Sequence, residues 1–194
     1  MTQNQMTDPR GIHQRAMAQT ESVVAAVTPP QLALPTPCTE YDVRALLSHM
    51  VGGLNRIALV GEGADALAVP PVADGVRDDG WLAAYQAARA RVTAAWADDA
   101  RLDAMVEVPW GKVPGRIALS GYVQEILAHG WDLAKATGQP TEGDPELATW
   151  VLAISRRILP PEPRGGQIPF GPVVPAPPDS GSYAQLAAWL GRHP

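Results

Sequence analysis

"EILAHGWDLAKATG", residues 125–138, is the stretch whose reading decides the fold. Its apolar residues recur at three- and four-residue steps, and it closes on Gly138 with Pro140 beyond, a usual helix end. Yet it carries Glu125 and His129, residue types that core helices avoid. On a helical wheel for residues 116–137, at about 100° per residue, Leu119, Tyr122, Val123, Ile126, Leu127, Trp131 and Leu133 share one broad apolar arc. His129 falls just outside it, Glu125 about 40° further round and Asp132 beyond, with Gly121 and Ala128 on the same flank. One face of this helix packs and the next lines a groove. Glu and His at i and i+4 point the same way, so their donor atoms converge.

The same periodicity runs through "VRALLSHMVGGLNRIALV", residues 43–60, where His49 lies about 60° from Leu46 at the edge of the apolar arc. Gly53 follows one turn later with Gly52 beside it, removing bulk where a ligand would enter. Were this helix to face the first, His49, Glu125 and His129 would offer N, O and N donors. Such a set matches a catalytic divalent-metal site, zinc first, that leaves a position for water or substrate. Each part also has a plainer reading: Glu-x-x-x-His is the pattern of a surface salt bridge, and a histidine at a helix edge is commonly a packing residue. Periodicity does not set two helices side by side, so on the residues alone both readings stand.

Helical period dominates elsewhere, and no alternating apolar runs are long enough for a large sheet, so the fold class is all-α. A first helix is expected over residues 8–27, ending before "TPP", since proline cannot continue the ladder. The loop "QLALPTPCTEY" follows, and the second helix is expected to start with Thr39 as N-cap and Asp42 three residues on, and to fade near Gly61. "DGWLAAYQAARARVTAAWADD", residues 79–99, reads as a third helix whose acidic end opposes the helix dipole and frays. "AMVEVPWGKVPG" carries the one strand-like signal, two short arms around Trp110-Gly111 that form a small hairpin. "PELATWVLAISRRIL" begins after Asp144 as cap with Pro145 in its first turn. Residues 160–178 hold eight of the 20 prolines, which makes them an extended strap, anchored through Ile168, Phe170 and Val173, before a short terminal helix in "SYAQLAAWLG".

The 194 residues suit one domain, 1–194, with a helical bundle over 8–158 and the strap and terminal helix over 159–194. A net charge of -5 repels phosphate backbones, which argues against a nucleic-acid partner. One cysteine cannot make an internal disulfide, the opening "MTQNQMTDPRG" lacks a signal-peptide pattern, and no apolar run reaches the roughly 18 residues of a membrane span. The expectation is a soluble cytoplasmic protein, monomer or homodimer, off the membrane.

"LPTPCTEYDVRALLSHMVGG" and "EILAHGWDLAKATGQ" resemble two signature blocks of the mycothiol-dependent maleylpyruvate isomerase metal-binding domain family, within the DinB-like superfamily. The closing "GPVVPAPPDSGSYAQLAAWLGRHP" resembles the tail of its single-domain metal-binding subgroup, so the likeness covers nearly the whole chain. It implies a DinB-like four-helix bundle with long crossover connections and a divalent metal held by His49, Glu125 and His129. Zinc is the first choice, with nickel, iron or manganese as alternatives. It also implies mycothiol as a small-molecule thiol cosubstrate whose pKa the metal lowers, giving a thiolate that attacks an electrophile near neutral pH. The isomerase has a further C-terminal domain in place of this strap and helix. The leading expectation is therefore a metal-dependent thiol S-transferase or isomerase acting on a small electrophile. The alternative is a non-catalytic metal-binding helical module for sequestration, sensing or partner binding.

Other residues carry weaker expectations. Cys38 reads as a small packed side chain, and the family's "TPC" block does not use it as a ligand. Asp132 either accepts a proton-bearing ring nitrogen of His129 or bonds solvent or Lys135. His13 is expected to face solvent, with a fourth ligand as the alternative. Trp110 walls a pocket, Trp131 belongs to the core, and Arg56 and Arg116 are surface charges or attract an acidic substrate. His193 is a mobile terminal residue.

Overall fold

The chain winds into helices at the places where its apolar period is three to four residues, and a computed structural model describes residues 8–165, 170–177 and 179–194. Helix α1 spans Arg10–Ala25; Asp8, rather than a capping side chain at Pro9, accepts from the Arg10 backbone N–H at 3.0 Å. After it a single 3-10 turn, Pro29–Gln31, carries a capping box between Thr28 and Gln31. Helix α2 spans Val43–Glu62 and is capped by Asp42, whose carboxylate accepts from the Ala45 N–H at 2.8 Å. The expected Thr39 cap is corrected: Thr36 donates its hydroxyl to the carbonyls of Cys38 and Tyr41, and this tight turn delays the helix by three residues. The helix also passes Gly61 and stops at Gly63, where φ is 79°, a conformation glycine adopts without strain.

Helix α3 spans Trp81–Ala95. The helix ends before its expected acidic tail; Asp98 caps a separate short helix, α4, Asp99–Asp103, which the sequence pattern does not foresee. Strands β1, Met105–Val108, and β2, Gly111–Pro114, form the expected antiparallel hairpin, with Val106 opposite Val113. Helix α5, Gly115–Thr137, ends at Gly138 in the left-handed conformation. Helix α6, Pro145–Ile158, starts at the Asp144 cap, and helix α7, Ser182–Trp189, closes the chain.

Four helices make the bundle, in the ring order α1, α5, α2, α3, so that α1 lies diagonally across from α2 and α3 from α5. The long connection from α1 to α2 follows from that diagonal. Trp96 links two of the ring's helices: its indole donates to the Ile57 carbonyl at 2.9 Å and fits against Gly61 near the end of α2 and Gly115 at the start of α5. Helices α2 and α5 therefore run antiparallel. Any side chain at Gly61 would collide with the indole, at 2.7 Å from its nitrogen.

Helices α6 and α7 pack on each other and lay a second layer over α5. The strap reaches that layer as expected at Phe170, which is half-buried against the core, and Val174 donates its N–H to Ala188 of α7 at 3.0 Å. Ile168 and the first seven residues, on which two expectations rested, lie outside the described residues. Among the described residues no helix is long and apolar enough to cross a membrane.

Candidate metal centre

The antiparallel pairing of α2 and α5 brings His49 opposite the Glu125–His129 turn. One Glu125 oxygen lies 3.0 Å from His49 Nε2 and 3.3 Å from His129 Nε2, and the two rings stand edge to face, centroids 4.9 Å apart. One donor atom from each of the three lies within 4.8 Å of the other two, a set able to hold a divalent ion. Periodicity could not supply this juxtaposition.

Both imidazoles are fixed by their second nitrogen. His49 Nδ1 is 3.0 Å from the Pro71 carbonyl oxygen, which can only accept, so Nδ1 carries hydrogen and Nε2 is the atom turned to Glu125. His129 Nδ1 donates to Asp132 at 3.2 Å, and Asp132 in turn accepts two bonds from Arg192, at 3.0 and 2.8 Å. Asp132 is fully buried. Histidine supported through carboxylate or carbonyl on its far side is the usual arrangement around a bound metal. Tyr41 adds a face, stacked on His49 at 5.2 Å and 26°.

The electrostatics follow from this crowding. For Glu125, desolvation works to raise the pKa, but hydrogen bonds and charge from His129 and then His49 outweigh it and hold the carboxyl well below the usual range. Its side chain nevertheless keeps 46% of its surface, so the carboxylate sits at the mouth of the site. Burial likewise depresses His129, yet its bonds to Asp132 and Glu125 win and raise it to about 9. Without a metal His129 is thus an imidazolium at neutral pH, a proton that an ion would displace. Asp132 is lowered despite burial by His129 and Arg192. The pocket beside the three groups, which Gly53 and Thr20 also line, has about 20 Å³ of free volume, room for a water or an ion and no more.

Other expectations meet mixed outcomes. Gly53 does open onto the groove, but Gly52 does not: a Cβ there would come within 2.3 Å of the Val72 backbone, so the 63–80 loop seals that flank. His13 is corrected from solvent-facing to buried, 1% exposed, because α3 and α5 both cover α1; burial pulls it down to about 3, and its Nε2 has no partner among the described residues. It is absent from the donor clusters found among the described residues. Asp132 takes His129 and Arg192, not solvent or Lys135; Lys135 lies over the Trp131 ring, which is core as expected. Arg116 pairs with Asp103. Cys38 is half-buried, within 4.8 Å of donor atoms of His129 and Asp132, and burial, then the Asp132 charge, push its thiol up. His193 is exposed. Arg192, Pro71 and Tyr41 went unnoticed in the sequence; a tail arginine and a backbone oxygen leave no periodic signal, whereas Tyr41 sits beside the Asp42 cap.

Residues 13–134 match the family model described as mycothiol maleylpyruvate isomerase N-terminal domain. The chain belongs to that family. Two relatives from Mycobacterium tuberculosis, the uncharacterized proteins MT0763 (strain CDC 1551 / Oshkosh) and Rv0738 (strain ATCC 25618 / H37Rv), are each 39% identical over 185 residues, covering 95% of this chain and 98% of theirs. The crystal structure of the mycothiol-dependent maleylpyruvate isomerase superposes with a TM-score of 0.58 at 15% identity, over 76% of this chain and 68% of that one. At that identity the likeness concerns the fold, which is the DinB-like helical bundle expected from the two sequence blocks.

Proposed function

We propose that His49 and His129, through Nε2, and Glu125 bind a divalent ion, zinc before nickel, iron or manganese, and that the protein is a metal-dependent thiol S-transferase or isomerase. The observation that carries this is the convergence of the three donor atoms within 4.8 Å, with both imidazole tautomers set for ligation by groups behind them. The metal would supply a lowered thiol pKa, making a small thiol of the mycothiol type nucleophilic near neutral pH. The chain's own part is positional: Pro71 and Asp132 aim the rings, Arg192 keeps Asp132 ionised, and the small pocket leaves the thiol and electrophile to meet at the mouth. Family membership supports the thiol and the isomerase-like chemistry. A single domain over 1–194 and a cytoplasmic location accord with this reading.

The test is a titration of cobalt-substituted protein with mycothiol, alongside metal analysis of native protein and His49→Ala. A thiolate-to-cobalt charge-transfer band is expected, with stoichiometric metal in the native protein and loss in the variant. A metal-loaded protein whose spectrum ignores the thiol would point to the non-catalytic metal-binding module. No stoichiometric metal in either protein would end the proposal.

A further inference from the structure

A second donor set lies on the far side of the His129 ring. Cys38, His129 and Asp132 each offer an atom within 4.8 Å of the other two, and Asp132 is fully buried. On that side the ring presents Nδ1, 3.2 Å from Asp132, whereas Nε2 faces Glu125 at 3.3 Å. A nitrogen-to-oxygen gap of 3.2 Å is a hydrogen bond, and it also comes close to the edge of a tetrahedron, about 3.4 Å, around an ion about 2.1 Å from each atom. Cys38 is set by its backbone: its carbonyl accepts the Thr36 hydroxyl at 2.9 Å and the Tyr41 N–H at 2.8 Å, in the turn that leads into α2. It is half-buried, which leaves an ion a way in.

We infer that Cys38, His129 Nδ1 and Asp132 form a second metal position, one for a soft, thiophilic divalent ion of the cadmium type, and that filling it takes His129 away from the first. The exclusion rests on the proposed centre at His49, Glu125 and His129; the binding itself does not. That centre offers two imidazoles and a carboxylate, whereas this one adds sulfur, which favours soft ions. Entry of the ion breaks two bonds to hydrogen, at the Cys38 sulfur and at Nδ1, and forms bonds to sulfur, nitrogen and an Asp132 oxygen while two protons leave to solvent. The remaining ring proton stays on Nε2, where Glu125 accepts it, so this nitrogen no longer ligates. Two positive charges leave and two arrive. Arg192 therefore faces the same net charge as before, and the ion uses only the lone pair of Asp132 that the Nδ1 hydrogen had occupied.

The test is a cadmium titration of chelator-treated, full-length protein with no thiol added, read by ultraviolet absorption. A thiolate-to-cadmium charge-transfer band that saturates at one equivalent is expected. Cys38→Ser should abolish the band, and His49→Ala should leave the band and its midpoint unchanged. His129→Gln and Asp132→Asn should each weaken cadmium by more than the about 10- to 100-fold that loss of an outer partner brings. Cadmium added to zinc-loaded protein should replace zinc one for one, by metal analysis after gel filtration. Absence of the band overturns the inference, as does a band unaltered in both His129→Gln and Asp132→Asn, which means that the thiol gathers the ion alone. Loss of the band in His49→Ala puts the ion in the first centre and overturns it too, and cadmium and zinc retained together overturn the exclusion. Cys38→Ser and His49→Ala decide the matter even if the buried variants misfold. Protein that never takes up zinc would end the proposed function and leave the cadmium band readable; a cobalt and mycothiol titration repeated in Cys38→Ser keeps the two thiolates apart.

Discussion

His49 and His129 face the same carboxylate, but the groups behind them differ in kind. Behind His49 is the Pro71 backbone carbonyl, neutral and out of reach of side-chain substitution, delivered by a loop pressed onto Gly52. Behind His129 is a buried carboxylate clamped by an arginine from the last four residues of the chain. The carbonyl fixes a tautomer and adds no charge. The carboxylate fixes a tautomer, raises the basicity of the ring and ties the centre to the C-terminal layer. One site is thus supported by two devices, one passive and one electrostatic, and they should fail differently.

The largest effect should come from the ligands themselves. His129→Ala and Glu125→Ala each leave two donors, and metal analysis after gel filtration should find less than stoichiometric zinc, a deeper loss than the about 10- to 100-fold typical of outer partners. Next comes the electrostatic side. Asp132→Ala leaves the Arg192 guanidinium, 12% exposed, without its partner, and should cost about 3–5 kcal/mol in denaturant unfolding. Asp132→Asn should spare more stability while lowering metal affinity about 10- to 100-fold by competitive chelator titration. The passive side should yield less: Gly52→Ala forces the Val72 backbone off α2 at a cost of about 1–3 kcal/mol and loosens His49 but not His129. NMR of the two imidazoles would show which ring moves; equal disturbance of both would break the distinction.

The last contrast is a pH dependence of the chelator-treated protein. The folded-state pKa of His129, raised to about 9, lies above its ordinary value near 6.5. Its contribution is therefore fully present below about 6.5 and is lost as pH rises through about 9. Thermal unfolding should occur at lower temperature at pH 10 than at pH 7, and Asp132→Asn should reduce that difference. A wild-type midpoint unchanged from pH 7 to 10 would show that Asp132 acts no differently from the carbonyl.

Much of this was legible in the chain. The Asp144 cap with Pro145, the Gly138 stop, the hairpin at Trp110-Gly111 and the groove face of Glu125 and His129 all follow from patterns a few residues long, and the structure agrees. The misreadings have two causes. His13 was expected to face solvent, whereas α1 is covered by both α3 and α5; of the two readings of Asp132 the bond to His129 is the one that forms, and the bundle and the α6–α7 layer close it off from solvent. Thr39 lost the capping role to Asp42 because a side chain-to-backbone turn competed for the same residues.

The sequence by itself determined which long segments are helical, where α5 stops, and that a carboxylate and an imidazole share one side of α5, since the 3.6-residue repeat and the chemistry of Gly, Pro and Asp act over a turn or two. Only the tertiary structure decided that His49 meets them, which nitrogen His49 offers, and that Asp132 is gripped by Arg192. Those outcomes depend on contacts between residues 22 to 76 positions apart, one of them through a backbone oxygen that no side chain announces.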